Sequence, residues 1–409
     1  MPRKRVLLVA ATTGYQTQMF AEAARNLDLE LTLATDRCHV LENPWGDQAL
    51  PIRFDDPEAA ANLVAASGPF DGIVALGDRP AFVSAVVAAK LGLPYSSVSA
   101  VATCRNKFLT RQRFQQFGLL VPTFFRVPVT SEPNPDLARF PCVLKPLGLS
   151  ASRGVIRANS PSEFVAAFLR IQAMLQPLGE EQDRYIQVED FIPGQEFALE
   201  AILDDGRLDV LALFDKPDPL DGPFFEETIY VTPSRQPAAV QEAIRETTAA
   251  AVKAIGLGQG PVHAEMRVNE QGVWMLEVAA RPIGGLCARV LPGLPERILK
   301  QAVGEYTAGG TLFETAAGVQ GAAGVLMIPI PREGIFHGVS GIDRARAVEG
   351  IEDVIMTAKE GQRLIPLPEG SSYLGFIFAR ATTPEQVEAA LRAAQAKLEY
   401  DILTALPVL

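Results

Sequence analysis

Apolar runs and polar breaks divide this 409-residue chain into three textures. The first runs to about residue 100 and alternates buried-type strands with helices. Residues 5–10 are a continuous apolar run that fits a strand of a parallel sheet. Thr12-Thr13-Gly14 predicts a turn, after which Met19, Phe20, Ala23, Ala24 and Leu27 recur at helical spacing. Residues 29–34 and 72–76 predict further strands, and 80–91 a helix ending at Gly92. This alternation predicts a Rossmann-like parallel α/β domain over residues 1–100. A dinucleotide fingerprint is absent, because the first turn carries one glycine rather than G-x-G-x-x-G.

The second texture, residues 101–310, predicts mainly hairpins. A basic helix covers 106–117; strands at 140–146 and 155–157 flank the loop 147–154; a helix spans 161–175 and a strand 185–188. Residues 120–188 form the expected lid. Strands at 195–203 and 208–214 turn through Asp205-Gly206, and a helix occupies 236–255. The third texture, 311–409, predicts a small α+β domain with short strands at 324–330, 354–355 and 374–379. Thr383-Pro384-Glu385-Gln386 reads as a helix start, with proline at the first position.

The stretch 262–285, VHAEMRVNEQGVWMLEVAARPIGG, is the richest in chemistry. It predicts a strand to Val268, a turn at 269–272 and a strand 273–278. Strict alternation would put Glu277 on one face with Val273 and Met275, and Trp274, Leu276 and Val278 on the other. Glu265 lies on the partner strand. Paired carboxylates ending apolar strands are costly without a cation, and hard oxygen ligands suit Mg²⁺ carried on nucleotide phosphates. A surface hairpin with solvated glutamates is the competing reading. Arg281 follows in a Gly/Pro-rich loop suited to an anion. His263 reads as a hairpin residue rather than a ligand.

Three other segments add to this. Lys145 ends the strand CVLKP, and the loop after it, with Ser150, Ala151, Ser152, Arg153 and Gly154, exposes amides and hydroxyls that can wrap phosphate. That composition equally supports an ordinary hairpin connection, and no GxxxxGK[ST] occurs. Glu189-Asp190-Phe191-Ile192, followed by Glu196, is an apolar strand entering an acidic bend, where backbone can meet an adenine edge and a carboxylate a ribose. In the 214–234 segment, Lys216 could contact a carboxylate or phosphate and Glu226 or Glu227 an amine; solvated loop charges are the alternative.

Composition narrows the class. Hydrophobic residues at 48% and charged residues at 21% fit a globular protein, and a formal charge of −11 argues against nucleic-acid binding. No run approaches the ~20 apolar residues that span a bilayer. Four scattered cysteines without metal spacing fit reduced thiols and a cytoplasmic setting.

Taken in order, NK at 106–107, VLKP at 143–146, SASRG at 150–154, VEDFIPGQEFALE at 188–200 and HAEMRV…WMLEVAARPIGG at 263–285 resemble the ATP-grasp superfamily of carboxylate–amine ligases. The resemblance implies an ATP-grasp fold: a front α/β domain, a two-lobed nucleotide clamp and a C-terminal α+β domain. It implies that Lys107 and Lys145 hold the α- and β-phosphates of ATP and that residues 150–154 close over the β- and γ-phosphates. Glu189 and the backbone through Ile192 would then read adenine, Glu196 the ribose, and Glu265 and Glu277 would carry Mg²⁺ (or Mn²⁺). Arg281 would stabilise developing charge, with Lys216 beside it in the catalytic group. Gly284 and Gly285 would join Glu226 and Glu227 on the substrate side.

The AARPIGG ending and the stretch 324–342 are similar to the L-amino-acid ligase branch, which joins two amino acids. Two departures stand out: Ala279 occupies a position where many relatives have Asn, and the QVEH continuation of biotin carboxylases is missing. The resemblance implies small-molecule substrates, with neither membrane nor nucleic-acid partners, and it allows a homodimer. A ligase with a non-amino-acid acceptor, or a non-catalytic nucleotide-binding protein, are the alternatives.

Overall fold

The computed structural model describes residues 2–11, 15–36, 49–309 and 321–404. The expected turn at 12–14, Cys38 and the 310/311 boundary lie outside them. Every strand of the front sheet runs parallel, in the order Leu50–Pro51, Glu30–Thr35, Arg5–Ala10, Gly72–Leu76. Its central strand is buried from Val6 to Ala10, as an uninterrupted apolar run requires when helices cover both faces. The helix Asp78–Leu91 follows the last strand and ends on Gly92, whose φ of 69° permits the left-handed cap.

A four-stranded antiparallel sheet comes next, ordered Phe124–Pro128, Tyr185–Asp190, Cys142–Pro146, Ile156–Ala158. The helix Pro161–Leu175 covers it through Phe164, Phe168 and Ile171. Its N-terminus follows from Ser160, whose hydroxyl accepts from the Glu163 amide.

The largest sheet has eight antiparallel strands. They run Gly272–Ala279, Gly260–Asn269, Gln195–Asp204, Arg207–Asp215, Ile229–Thr232, Ala322–Ile328, Gly375–Ala381, Ile351–Met356. This sheet continues from the hairpin region into the C-terminal region through the pairing of Tyr230 with Val325. A third antiparallel sheet of Arg363–Leu364, Gly334–Ser340 and Glu399–Leu403 lies beyond it. The pattern reading finds neither Gly334–Ser340 nor Glu399–Leu403, because both mix polar with apolar positions and bury few side chains fully. Thr383 and Gln386 form the reciprocal cap expected for the last helix, Pro384–Gln395.

Both faces of Gln195–Asp204 are buried. Phe197, Leu199, Ala201 and Leu203 pack against the helix Ala238–Ile255, while Ala198 and Ile202 join an apolar cluster that includes Val6 and Leu8 of the front sheet. Glu196 and Glu200 share the second face and are also buried. Two carboxylates where apolar side chains belong must be neutralised by neighbours.

The hinge into this strand is Gly194, with φ at 125°; a Cβ there would meet the Val268 carbonyl oxygen at 2.3 Å. Across the lid, a C-terminal loop grips the glycine-containing loop: Gly154 donates its amide to the Pro368 carbonyl at 2.9 Å, and Arg170 Nη2 meets Glu369 Oε2 at 2.8 Å. Cys104, Cys142 and Cys287 are free thiols, and no described helix is long and apolar enough to cross a membrane.

Gly194→Ala combines a disfavoured φ with a backbone collision. It is expected to destabilise the fold by more than about 1 kcal/mol, read as a lower urea midpoint at unchanged slope.

Candidate active site

The four-stranded sheet, the eight-stranded sheet and the front sheet line a cavity of about 1030 Å³. On β-strand Gly260–Asn269, alternation sends Val262, Ala264 and Met266 into the core, and His263, Glu265 and Arg267 into the cavity. The partner strand does not keep its alternation. Glu265 pairs with Glu277 but Met266 with Met275, so Leu276 is an extra residue, a β-bulge. Val273, Met275 and Val278 therefore lie together in the core, whereas Leu276 and Glu277 both face the cavity. This corrects the expectation that Glu277 shares a face with Val273 and Met275. The bulge turns Glu277 toward Glu265.

Arg111 holds the bulge in place. It is buried, and its Nη1 donates to the Met275 and Leu276 carbonyls at 2.8 and 3.0 Å. Its other nitrogens meet Glu189, with Nε 3.1 Å from Oε2. Lys145 also binds Glu189, and Gln187 donates to it at 2.8 Å. Burial alone would raise the Glu189 carboxyl, but Arg111 and then Lys145 hold it down at about 2. Burial pushes Lys145 down to about 8, against the pull of Glu189.

A second buried cluster centres on Lys216. Its ammonium lies 2.9 Å from Glu196, 2.5 Å from Glu227 and 3.1 Å from Glu265. Burial opposes its charge, yet the three carboxylates raise its pKa well above the ordinary value. Burial and the neighbouring Glu265 push Glu227 up to about 7. Glu265 is held well below the usual carboxylate range, because Lys216 and His263 outweigh its burial. Solvated loop charges are thus not what Lys216 and Glu227 are. Glu226 stands apart: it is partly buried and does not line the cavity.

Arg267 completes this side, its Nε 3.0 Å from Glu196 and its Nη1 2.8 Å from the Ile192 carbonyl. Its guanidinium also lies over the Phe191 ring. Phe191, Ile192 and Glu196 line the cavity; Asp190 does not, its amide being spent on Thr123.

At the opposite wall, Lys107 begins the helix Lys107–Gln116, capped by Asn106. Its ammonium donates to the Leu149 carbonyl at 2.6 Å and lies 3.5 Å from Glu277. The loop it touches supplies Ser150, Ala151, Ser152 and Arg153 to the cavity. Ala151 and Ser152 adopt φ values of 54° and 53°, a left-handed backbone that non-glycine residues rarely take and that clusters at ligand clamps. Gly154 sits behind, where a Cβ would meet Pro146 Cγ at 2.7 Å.

Arg281 reaches toward the front sheet. Its Nε lies 3.0 Å from Asp78 Oδ1, and its Nη1 donates to the Pro282 carbonyl at 3.1 Å. Asp78, at the first turn of its helix, raises the guanidinium pKa further over the effect of burial. Gly284 and Gly285 line the cavity beside it. His263 meets Glu200 through Nδ1, and its Nε2 is 3.3 Å from Glu265. Burial would lower the imidazole, but Glu200 and Glu265 raise it to about 9.

Residues 138–290 match the ATP-grasp domain and residues 326–402 the L-amino acid ligase C-terminal domain 2. The fold agrees with the L-amino acid ligase of Bacillus licheniformis at a TM-score of 0.84 and 26% identity, over 99% of this chain and 100% of that one. The chain carries an ATP-grasp domain. An ATP-grasp enzyme of Aspergillus fumigatus, fsqD, is 25% identical over 69% of this chain and 56% of its own length. A D-alanine–D-alanine ligase of Pseudomonas putida is 30% identical over 47% of this chain and 60% of its own. The chain thus spans under two thirds of the length of these two relatives.

Within this ATP-grasp fold, the expected site residues meet partners to which the sequence reading gave no chemical role: Asp78, Arg111, Glu200, His263 and Arg267. For Arg111 a signal existed, since Lys107, Thr110, Arg111 and Phe114 fall at the spacing of one helix face, and that face is the inward one. Asp78 lies 203 residues from Arg281, and local pattern carries no such pairing.

Arg111→Met should leave Glu189 half-neutralised and two bulge carbonyls bare. The expected loss is about 3–5 kcal/mol of stability, measured by urea unfolding.

Proposed function

We propose that this chain is an ATP- and Mg²⁺-dependent ligase that joins a carboxylate to an amine, with two amino acids as the substrates and a dipeptide as the product. The observation that carries the proposal is the convergence on one cavity of Lys107 and Lys145, the facing Glu265 and Glu277, and Arg281 beside Gly284 and Gly285. A carboxylate is a poor electrophile at neutral pH, so amide formation requires activation, and this set offers charge rather than a nucleophile.

Lys107 and Lys145 neutralise the α- and β-phosphates, while residues 150–154 wrap the β- and γ-phosphates. Both Glu189 oxygens are engaged by Arg111, Lys145 and Gln187, so the adenine edge is left to backbone near Phe191 and Ile192. Glu196, which lines the cavity, would bind the ribose.

A divalent cation fits Glu265 and Glu277, hard oxygen donors on directly paired residues with Lys107 near Glu277 as counter-charge. When bound, Mg²⁺ or Mn²⁺ supplies charge neutralisation on the phosphates. Ala279 is buried and offers no ligand, which leaves those two carboxylates as the protein's share. The grouping of Glu196, Glu227 and Glu265 is a different matter, because the Lys216 ammonium already fills it.

The substrate carboxylate attacks the γ-phosphorus, forming an acyl phosphate and releasing ADP. The amine then attacks the acyl carbon, phosphate leaves, and the amine nitrogen gives up a proton. Arg281 and the amides of Gly284 and Gly285 would hold the oxyanion that develops. Glu227 is the acidic group for a substrate ammonium, since Glu226 does not line the cavity.

Incubation with ATP, Mg²⁺ and an amino-acid pool tests the reading. Phosphate release should depend on amino acids, mass spectrometry should find dipeptides, and Glu277→Ala should abolish both. ATP turnover without any amide product, or with a non-amino-acid acceptor only, would reject the dipeptide reading.

Two further outcomes are expected. Arg281→Lys keeps the charge but loses the fork that spans Asp78 and the Pro282 carbonyl; kcat should fall at least about tenfold while ATP affinity holds. Lys145 titrates near 8 in the free protein, and phosphate contact would raise that value. ATP binding at pH 8.5 should therefore take up protons, seen as a buffer-dependent calorimetric enthalpy that Lys145→Met removes.

A further inference from the structure

We infer that Glu200 is a positioning residue for this reaction: it ties the Arg281 loop to the carboxylate Glu265 through His263. The inference rests on the ligase reading of the cavity. Glu200 is 1% exposed and flanked on its own face by Ala198 and Ile202, which belong to an apolar cluster. A carboxylate so placed is costly, and an apolar side chain there would serve the fold as well.

Both of its oxygens are occupied. Oε2 accepts the Ile283 amide at 3.0 Å, and Oε1 accepts from His263 Nδ1. The other ring nitrogen, Nε2, is 3.3 Å from Glu265 Oε1. Ile283 is held from its far side as well, its carbonyl accepting from Gln16 at 2.8 Å. One carboxylate therefore sets the peptide two residues after Arg281 and the ring that orients Glu265. Groups that orient a metal-binding side chain through a histidine typically change affinity or rate by about 10–100-fold when altered.

Glu200→Gln is the isosteric test, because an amide has one acceptor oxygen and must turn its NH₂ toward one of the two donors. The readouts are Mn²⁺ binding to the ADP-loaded protein by electron paramagnetic resonance, kcat, the ATP Michaelis constant and the melting temperature. The expectation is a roughly 10–100-fold loss in both Mn²⁺ affinity and kcat, with the ATP Michaelis constant within about twofold of wild type. Mn²⁺ affinity and kcat within about twofold of wild type, whatever the melting temperature, would overturn the inference.

Should that variant fail to fold, His263→Asn decides. It cuts the link to Glu265 and leaves the Ile283 contact, so weakened Mn²⁺ binding supports the role and unchanged binding rejects it. Wild type unable to bind Mn²⁺ with ADP would reject the ligase reading itself along with this one. Wild type that binds while Glu200→Gln and His263→Asn match it would reject only the role of Glu200.

Discussion

The Lys216 ammonium, buried among Glu196, Glu227 and Glu265, is the contact on which the architecture turns. Four separate segments meet there: two neighbouring strands, the end of a third, and the loop leading to Ile229–Thr232. No strand hydrogen bond joins all four. Removing the lysine would leave three carboxylates together in a poorly solvated site, and breaking even one such buried pair typically costs about 3–5 kcal/mol. With Arg267 on Glu196 and His263 on Glu200, this cation lets the sheet carry acidic residues on an otherwise apolar face. Arg267 then takes the second Glu196 oxygen and, through the Ile192 carbonyl, fixes the hinge.

The same logic is repeated at Glu189. Arg111 and Lys145 neutralise it, and Arg111 also caps the carbonyls exposed by the bulge at Leu276. The bulge matters because a regular strand would bury Glu277 in the apolar layer with Val273 and Met275. One extra residue shifts the phase, so that Glu277 faces Glu265 and both reach the cavity. Two carboxylates brought together without a cation repel each other. That repulsion is what makes the pair fit a divalent ion, and Lys107, 3.5 Å from Glu277, is a partial counterweight.

Local pattern made much of this legible. The parallel front sheet, the Asp205-Gly206 hairpin, the helix Pro161–Leu175 and the Thr383 cap all follow from periodicity and turn chemistry, because each is decided by neighbouring residues. Motif order pointed to Lys107, Lys145, Glu265, Glu277 and Arg281, all of which line one cavity. The partners were illegible for a physical reason. Asp78 with Arg281, Arg111 with Glu189 and Glu200 with His263 are contacts between distant segments, and their residue types alone look like solvated charge. The bulge escaped for a related reason: strict alternation assumes unbroken register, and nothing in VWMLEVA marks where it slips.

These distant contacts also explain why the front sheet belongs to the cavity although it carries no nucleotide motif. Asp78 binds the Arg281 guanidinium, and Gln16 holds the Ile283 carbonyl. The loop that would face a developing oxyanion is thus fixed from the front module on one side and from Glu200 on the other. Preorganised donors stabilise a transition state because they need no reorientation when charge appears. A single-module clamp could bind ATP. Holding Arg281 and the Gly284–Gly285 amides still requires a second body, which the Asp78–Leu91 helix supplies through a first-turn carboxylate. The C-terminal loop plays the corresponding part for the lid, where Pro368 and Glu369 grip Gly154 and Arg170. Ser371, Ser372 and Tyr373, directly after that grip, line the same cavity, so one short loop both holds residues 154 and 170 and contributes to the cavity wall.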